Sequence, residues 1–373
     1  MEKALPWFIL KSVPGIGNHL FKRLIERFSR PEFVFEASKE ELLQVEGISP
    51  RLASAIHRHQ APETVRRDFD LAMGKGYKII TMADSEYPPL LLQIPDPPPF
   101  LYLFGRLDAT MQNIAVVGSR NATGYGIATT TRLCASLASL EITVVSGMAR
   151  GIDTAAHQGA LAVRGRTVAV LGSGLERVYP AENLRLFHEI AENGAVISEF
   201  PLQTEPDAHH FPVRNRIISG MSHGTVIVEA TRRSGSLITA RLAAEQGREV
   251  FAVPGSIHSF KSTGTHSLIK QGAKLVENAR DIMEELPHLF RAPFRNDIPS
   301  GKKTNDPPAE LESDEIQVLD SIGPYPVHMD DLVRKNSIEP GKLCGILLRL
   351  ELKGLLQQIP GNFFSKPEDA SDR

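Results

Sequence analysis

Arginine and glycine recur together in four segments of this 373-residue chain, and the chemistry that pairing serves is anion binding. Arginine presents a planar fork of donors that meets a phosphate in bidentate fashion. Glycine lets backbone N–H groups come close to a ligand. The first segment, Gly118-Ser119-Arg120-Asn121-Ala122-Thr123-Gly124-Tyr125-Gly126, follows an apolar run and opens a helix, so helix N–H groups and the helix dipole should face an anion there. The second, Ser146-Gly147-Met148-Ala149-Arg150-Gly151-Ile152-Asp153, adds Arg150 and Gly151, with Asp153 as the expected cap of a helix running through His157. The third, His209 to Gly220, sets Arg214 and Arg216 on either side of Asn215 at a helix start, with no acidic residue close by in sequence. The fourth, Thr231-Arg232-Arg233-Ser234-Gly235-Ser236, continues to Arg241. One such arginine is ordinarily solvated surface charge. Four successive loops carrying them toward one crevice suit a polyanion.

Other chemistries find less support. A dinucleotide fingerprint needs G-x-G-x-x-G in the first turn and an acid at the end of the second strand. Arg120 stands where the second glycine would be, and the second strand ends in Ser146-Gly147. His209-His210 has no Glu or His at helical spacing to complete a metal site. Neither a G-x-S-x-G elbow nor a G-x-x-x-x-G-K-[ST] loop occurs. Cys134 and Cys344 lie too far apart in sequence for a CxxC site or a disulfide framework. No catalytic residue, cofactor or metal ligand is therefore assigned. Ser234-Gly235-Ser236 is similar to loops of nucleotide-processing Rossmann-like enzymes, so a bound or hydrolysed nucleotide is the alternative.

The elements that must position these loops read as an α/β domain. Apolar strands are expected at Ile114–Val117, Ile142–Val145, Thr167–Leu171, Ala195–Ser198, Thr225–Glu229 and Val250–Val253, with helical segments of about a dozen residues between them. Apolar strands alternating with helices give a doubly wound, Rossmann-like parallel sheet covered on both faces, whose ligand crevice lies beyond the carboxyl ends of the strands. Residues 1–62 read as a small helical domain of two helix-hairpin-helix units, turning at Pro14-Gly15-Ile16-Gly17 and Gly47-Ile48-Ser49. Each turn is either a phosphate contact or a tight connection. The extended Rossmann-like domain spans 63–287. It begins with a helix, a strand at Tyr77–Thr81 and a proline-dense extended stretch from Tyr87 to Pro99. Residues 288–310 form a polar, proline-rich linker. Residues 311–364 read as a winged-helix domain, with helices at Asp314–Ser321, Met329–Lys335 and Pro340–Lys353 and a hairpin at Leu355–Phe364.

Hydrophobic residues at 42% and charged residues at 23% exclude wholesale disorder. The net charge is only -2, so a nucleic-acid site must come from local concentration of arginine and lysine. No apolar run reaches membrane-spanning length, and Met1 to Gly15 lacks the pattern of a secretory signal. A cytoplasmic protein without a membrane partner is expected.

Six segments together resemble the bacterial DNA-processing protein A (DprA, or Smf) family: Val117–Arg120, Ser146–Asp153, Leu171–Gly174 with Tyr179-Pro180, Phe211–Gly220, Glu229-Ala230 through Thr239-Ala240, and Val253–Gly255. The resemblance covers residues 65 to 285. It implies a non-enzymatic protein that binds single-stranded DNA without strong sequence preference, protects incoming strands in natural transformation, loads the RecA recombinase, and forms a homodimer through its Rossmann-like domain. Carried over residue by residue, Arg120, Arg214, Asn215 and Arg216 would hold the phosphate backbone. Gly118, Ser119, Gly147 and Gly235 would supply backbone donors, and Arg185 would stand for the family's basic residue after Tyr-Pro-x-x-Asn. Arg150, Gly151, Ser234, Ser236 and Arg241 complete the expected DNA site from the same loops. Aromatic residues are only 6% of the chain, with Phe200, Phe211 and Tyr179 nearest the crevice, so phosphate contacts should outweigh base stacking. In the winged helix, Lys342, Arg349 and Lys353 could face duplex DNA, a protein, or only their own domain.

Overall fold

The computed structural model describes residues 2–287, 313–322, 327–336, 338–353, 355–359 and 361–365. The expected linker at 288–310 lies outside the described residues. What is described falls into two compact units, one on each side of that segment.

The first unit is built on a nine-stranded sheet: β1 (Lys78–Thr81), β2 (Phe100–Gly105), β3 (Asn113–Gly118), β4 (Thr143–Ser146), β5 (Thr167–Val170), β6 (Ala195–Ser198), β7 (Gly224–Val228), β8 (Glu249–Ala252) and β9 (Lys274–Leu275). Their spatial order is β1-β2-β6-β5-β4-β3-β7-β8-β9. From β6 to β9 all pairings are parallel, while β1 and β2 join the β6 edge antiparallel. Starting from β3, the chain winds outward through β4, β5 and β6 and then returns to lay β7 on the other side of β3. The order reverses between β3 and β7, and a doubly wound sheet opens its ligand crevice at that reversal.

Period-two alternation along each strand supplies two cores. Ile114, Val116, Val226, Val228 and Phe251 pack with Leu133, Leu137 and Ile152 on one face, and Ala115, Val117, Val145 and Ile227 pack with Ile217 and Ile218 on the other. The helices Gly124–Ser139 and Ile152–Ala162 thus cover one face, and His210–Gly220 covers the opposite one.

Three features depart from expectation. β2 was not anticipated, because its apolar run Phe100-Leu101-Tyr102-Leu103 abuts the proline cluster. β9 is a two-residue strand with both residues exposed, too short and polar to carry a periodic signal. Within the stretch expected to be extended, Pro89–Gln93 forms a short helix with proline at its start, where a missing N–H is tolerated.

The N-terminal helices Leu5–Lys11, Asn18–Phe28, Lys39–Leu43 and Pro50–Arg58 turn at Gly15 (φ 98°) and Gly47 (φ 96°), which hold the left-handed conformation that glycine adopts without penalty. They share one apolar core with the sheet. Trp7, Phe8, Leu10 and Phe21 cluster with Phe100, Tyr102, Leu171 and Phe187, and Phe8 stacks on Phe100 with ring centroids 3.9 Å apart. Both turns favour the tight-connection reading over phosphate contact. At the first, Asn18 Nδ2 donates to the buried carboxylate of Glu199 (3.4 Å) and Lys22 Nζ to Ile94 O (3.0 Å), so the turn faces the sheet domain and an acid. At the second, Ser49 Oγ accepts from Leu52 N–H (3.2 Å) and Pro50 has no N–H to offer.

The second unit has helices Ser313–Ser321, Met329–Asn336 and Pro340–Leu352 beside a three-stranded antiparallel sheet of β10 (Val327–His328), β11 (Gln357–Ile359) and β12 (Phe363–Ser365), in the order β10-β12-β11. Val318, Leu332, Leu343, Ile346, Leu347, Leu350 and Phe364 make its core. This is a winged helix. The three basic residues singled out in the sequence are engaged at home: Lys342 pairs with Asp314 (2.5 Å), and Arg349 and Lys353 pair with the buried Glu315 (3.0 and 2.7 Å).

Candidate functional site

Beyond Gly118 and Val228 lies a cavity of about 670 Å³. Gly118, Ser119 and Arg120 line one side, Phe211, Arg214 and Asn215 a second, and Ser234, Gly235 and Ser236 a third. Eight of these nine lining residues belong to the expected set, and the ninth, Phe211, enters as an aromatic platform. Glycine is required at position 118, since a Cβ there would fall 1.8 Å from Val228 O.

The turn after β3 does not present an empty helix start. Glu229, which directly follows β7, reaches across with its carboxylate: Oε2 accepts from Thr123 N–H (2.9 Å) and Oε1 from the Thr123 hydroxyl. A Cβ on Gly126 would lie 2.6 Å from the same carboxylate. The expected anion at the helix Gly124–Ser139 is thus a protein side chain, held by a residue at φ 47°. This also weakens the nucleotide alternative, because the place for a pyrophosphate is filled. Ser119 N–H is spent as well, donating to Val228 O (3.3 Å).

Arg120 remains exposed and has no acidic partner within salt-bridge distance among the described residues; its guanidinium carbon sits 4.8 Å from the Phe211 ring centroid, a cation–π distance. Tyr179 lies beside Phe211 at 5.9 Å, and Gly172 leaves room for that ring, since a Cβ there would come 2.8 Å from Phe211 Cδ1. Phe200, by contrast, packs on the His210 ring at 4.4 Å and does not line the cavity. On the third side the N–H groups of Ser234, Leu237 and Ile238 bond within their own turn, while those of Gly235 and Ser236 have no protein acceptor among the described residues. They begin the helix Ser236–Glu245, so this is the open helix N-terminus of the crevice.

Arg214 is a structural arginine rather than a free phosphate ligand. It is 3% exposed, and its Nη1 donates to Gly147 O (2.7 Å) and to Val170 O. Burial lowers its pKa to about 10 against the pull of Asp153. Gly147 gives its carbonyl to Arg214 and its N–H to Asp153, and a Cβ on it would strike the Arg214 guanidinium at 2.1 Å. Its expected role as a donor to DNA is therefore corrected. Asp153 is not a helix cap: the cap position is Gly151, and Asp153 lies buried in the first turn, accepting from Ala149 N–H (3.3 Å). Burial raises its pKa, opposed first by Arg214.

Arg216 is likewise corrected. It is buried and pairs with Asp96 (3.1 Å) and with Glu199, so the acids missing from its own sequence neighbourhood arrive from other elements. The other expected residues stand apart from the cavity. Gly151 packs at φ 75° against the Ser119 carbonyl, and Arg150 makes a two-bond pair with Glu182 (2.8 and 2.7 Å). Arg185 pairs with Glu189 (2.7 Å), and Arg241 with Glu245 (3.6 Å), one helical turn away. Each of these three arginines is exposed and keeps capacity for a phosphate only by giving up its acid.

Two features named in the sequence stand outside the expected site residues. Arg232 and Arg233 are exposed, lack any acidic partner among the described residues, and border the open helix start. Glu229 carried a legible signal, an acid ending a buried apolar parallel strand, which calls for a partner. Among the described residues no cluster of His, Cys, Asp or Glu could hold a metal, and no helix is long and apolar enough to cross a membrane.

Comparison with known proteins adds an independent line. The family model "DNA recombination-mediator protein A" matches residues 78–287, "DprA winged helix domain" residues 302–362, and "SAM-like Helix-hairpin-helix tandem" residues 9–59. A Synechocystis sp. relative named "Protein Smf" is 33% identical over 95% of this chain and 96% of its own length. The crystal structure of DNA processing protein A from Streptococcus pneumoniae is 35% identical and superposes with a TM-score of 0.65, covering 75% of this chain and 97% of that one. A Helicobacter pylori DNA processing protein A, whose structure is described for its single-stranded DNA binding mode, is 30% identical with a TM-score of 0.51, covering 57% of this chain and 97% of that one.

Proposed function

We propose, from the premise that this chain belongs to the DNA recombination-mediator protein A family, that it holds single-stranded DNA across the carboxyl ends of its parallel strands and does no chemistry on it. The observation that carries this reading is the pairing of an unneutralised guanidinium, Arg120, with an aromatic face, Phe211, beside the open helix start at Gly235 and Ser236. A cation and two N–H groups suit phosphate, and a ring face suits a base, which in a single strand is free to leave its stack. Arg232 and Arg233 extend the cationic rim. The H. pylori relative's single-stranded DNA binding supports the same ligand class.

Glu229 in the helix start and Arg214 engaged with backbone carbonyls speak against the nucleotide-hydrolysing alternative. Asp153 borders the cavity, but Arg214 and the Ala149 and Gly147 N–H groups already engage it. In the cell the reading extends to protecting incoming strands during transformation, working in the cytoplasm as a homodimer joined through the Rossmann-like domain, and handing the strand to RecA.

The test compares binding to single-stranded and duplex oligonucleotides of one sequence, with and without ATP, at two salt concentrations. Tighter binding to the single strand, indifferent to ATP, is expected. Equal or tighter duplex binding overturns the reading, and ATP hydrolysis abolished by Arg120→Ala overturns its non-enzymatic part.

A further inference from the structure

The two most exposed large apolar side chains among the described residues sit on one loop after β8, Ile257 at 83% and Phe260 at 73%. The loop is held stiffly. Ser259 N–H donates to Ser256 O (2.9 Å), Ser262 N–H to Ser259 O (3.1 Å), and the Thr263 hydroxyl to Phe260 O (2.8 Å). Its roots are packed: Gly264 N–H donates to Ala230 O (2.7 Å), His266 Nε2 lies 3.0 Å from Gly255 O, and a Cβ on Gly255 would fall 2.1 Å from Ser262 Oγ. Large apolar groups fixed in water on an ordered loop mark a surface that something covers.

Two contacts tie this loop to the rim of the crevice. The Lys261 ammonium donates to Asn121 O, one residue beyond Arg120, and the Tyr125 hydroxyl, on a ring 56% exposed, donates to Pro254 O (3.1 Å). The two segments that meet here carry no acid anywhere from 109 to 140 or from 250 to 276. Aromatic side chains on two acid-free segments, beside Lys261 and with the Glu229 carboxylate buried at Thr123, match a strand of phosphates and bases.

We propose that Phe260 is a second base-stacking platform for the DNA strand, which leaves the Arg120–Phe211 site and continues over the Asn121–Lys261 bridge that joins its loop to the Tyr125 segment. This rests on the single-stranded DNA reading given above. Stacking depends on bases, whereas the arginine contacts depend on phosphates, and that difference makes the two separable.

The test uses the full chain with a labelled oligothymidylate and an abasic oligonucleotide of equal length. Phe260→Ala should weaken oligothymidylate binding about 5- to 20-fold, leave abasic binding, salt dependence and melting temperature unchanged, and be rescued by Phe260→Trp. The new tryptophan should be quenched by oligothymidylate and not by the abasic strand. Unchanged oligothymidylate affinity, or an equal loss on both strands, overturns the proposal. So does a Phe260→Ala protein altered only in self-association, which would make the loop an interface between copies of the chain. If Arg120→Ala weakens binding and Phe260→Ala does not, this platform alone fails; if neither does, the DNA reading fails with it.

Discussion

Replacing Arg214 with alanine should lower stability, and the size of the loss follows from what the side chain holds. The substitution leaves the Gly147 and Val170 carbonyls without their shared donor and Asp153 buried without its nearest counter-charge. Removing one member of a buried charged pair costs about 3–5 kcal/mol. At about 2.1 cal/mol/K per residue, the first unit unfolds with an entropy near 0.6 kcal/mol/K, so the loss is a fall of about 5–8 °C in melting temperature. The fall should also depend on pH. The Asp153 carboxyl already titrates above its ordinary 3.8 because of burial, and losing Arg214 pushes it higher. A raised carboxyl destabilises the fold above its folded-state pKa, and the penalty is relieved as pH drops toward 3.8. Scanning calorimetry at neutral pH and near pH 5 should therefore show the variant closing part of its gap with the parent in acid, and Asp153→Asn in the same background should close it at neutral pH. DNA titration at several salt concentrations completes the assay. A variant that melts within about 2 °C of the parent but loses about 0.7 from the salt slope would refute the reasoning and put Arg214 on a phosphate.

Arg120→Ala is the converse case: it should make the log K against log salt dependence shallower by about 0.7 on single strands and leave the calorimetric melting temperature in place. Glu229→Gln removes the internal anion from the helix start and should destabilise by about 1–2 kcal/mol, read by denaturant titration. Burial, aided by Arg214, drives the pKa of His157 down to about 3 from an ordinary 6.5. The folded state thus resists a proton that the unfolded chain accepts, so stability should be intact above pH 6.5 and decline below it; His157→Gln should flatten that decline between pH 6.5 and 5, as measured by urea unfolding. Phe8→Ala breaks the stack on Phe100 and should cost about 3–5 kcal/mol, with thermal melting of the sheet domain as the readout.

The strands were legible because they are apolar, continuous and spaced by helices, and the crevice was legible because glycines mark their ends. What sequence could not supply was the partner of each charge. Arg216 looks unopposed along the chain, yet Asp96 and Glu199 meet it from 120 and 17 residues away. Arg214 looks like its twin two residues earlier, yet the helix turns it inward over the carbonyls at the ends of β4 and β5. The same limit hid β2, whose antiparallel pairing with β6 is decided by a contact about 90 residues distant. Arg120 and Gly235 line the crevice where the sequence places them, because each sits in the strand-to-helix turn that carries it there.

Glu229 gives the crevice a property that concerns competitors rather than stability. A helix N-terminus at the reversal of a doubly wound sheet is where a free nucleotide would dock, and the cell holds nucleotides in abundance. A carboxylate tethered a few ångströms from that point acts at an effective concentration set by its attachment, not by the surrounding solution. It cannot diffuse away, so metabolites have no vacancy to fill at this helix. What the crevice still offers a ligand is the open helix start at Gly235 and Ser236 and the exposed Arg120, Arg232 and Arg233.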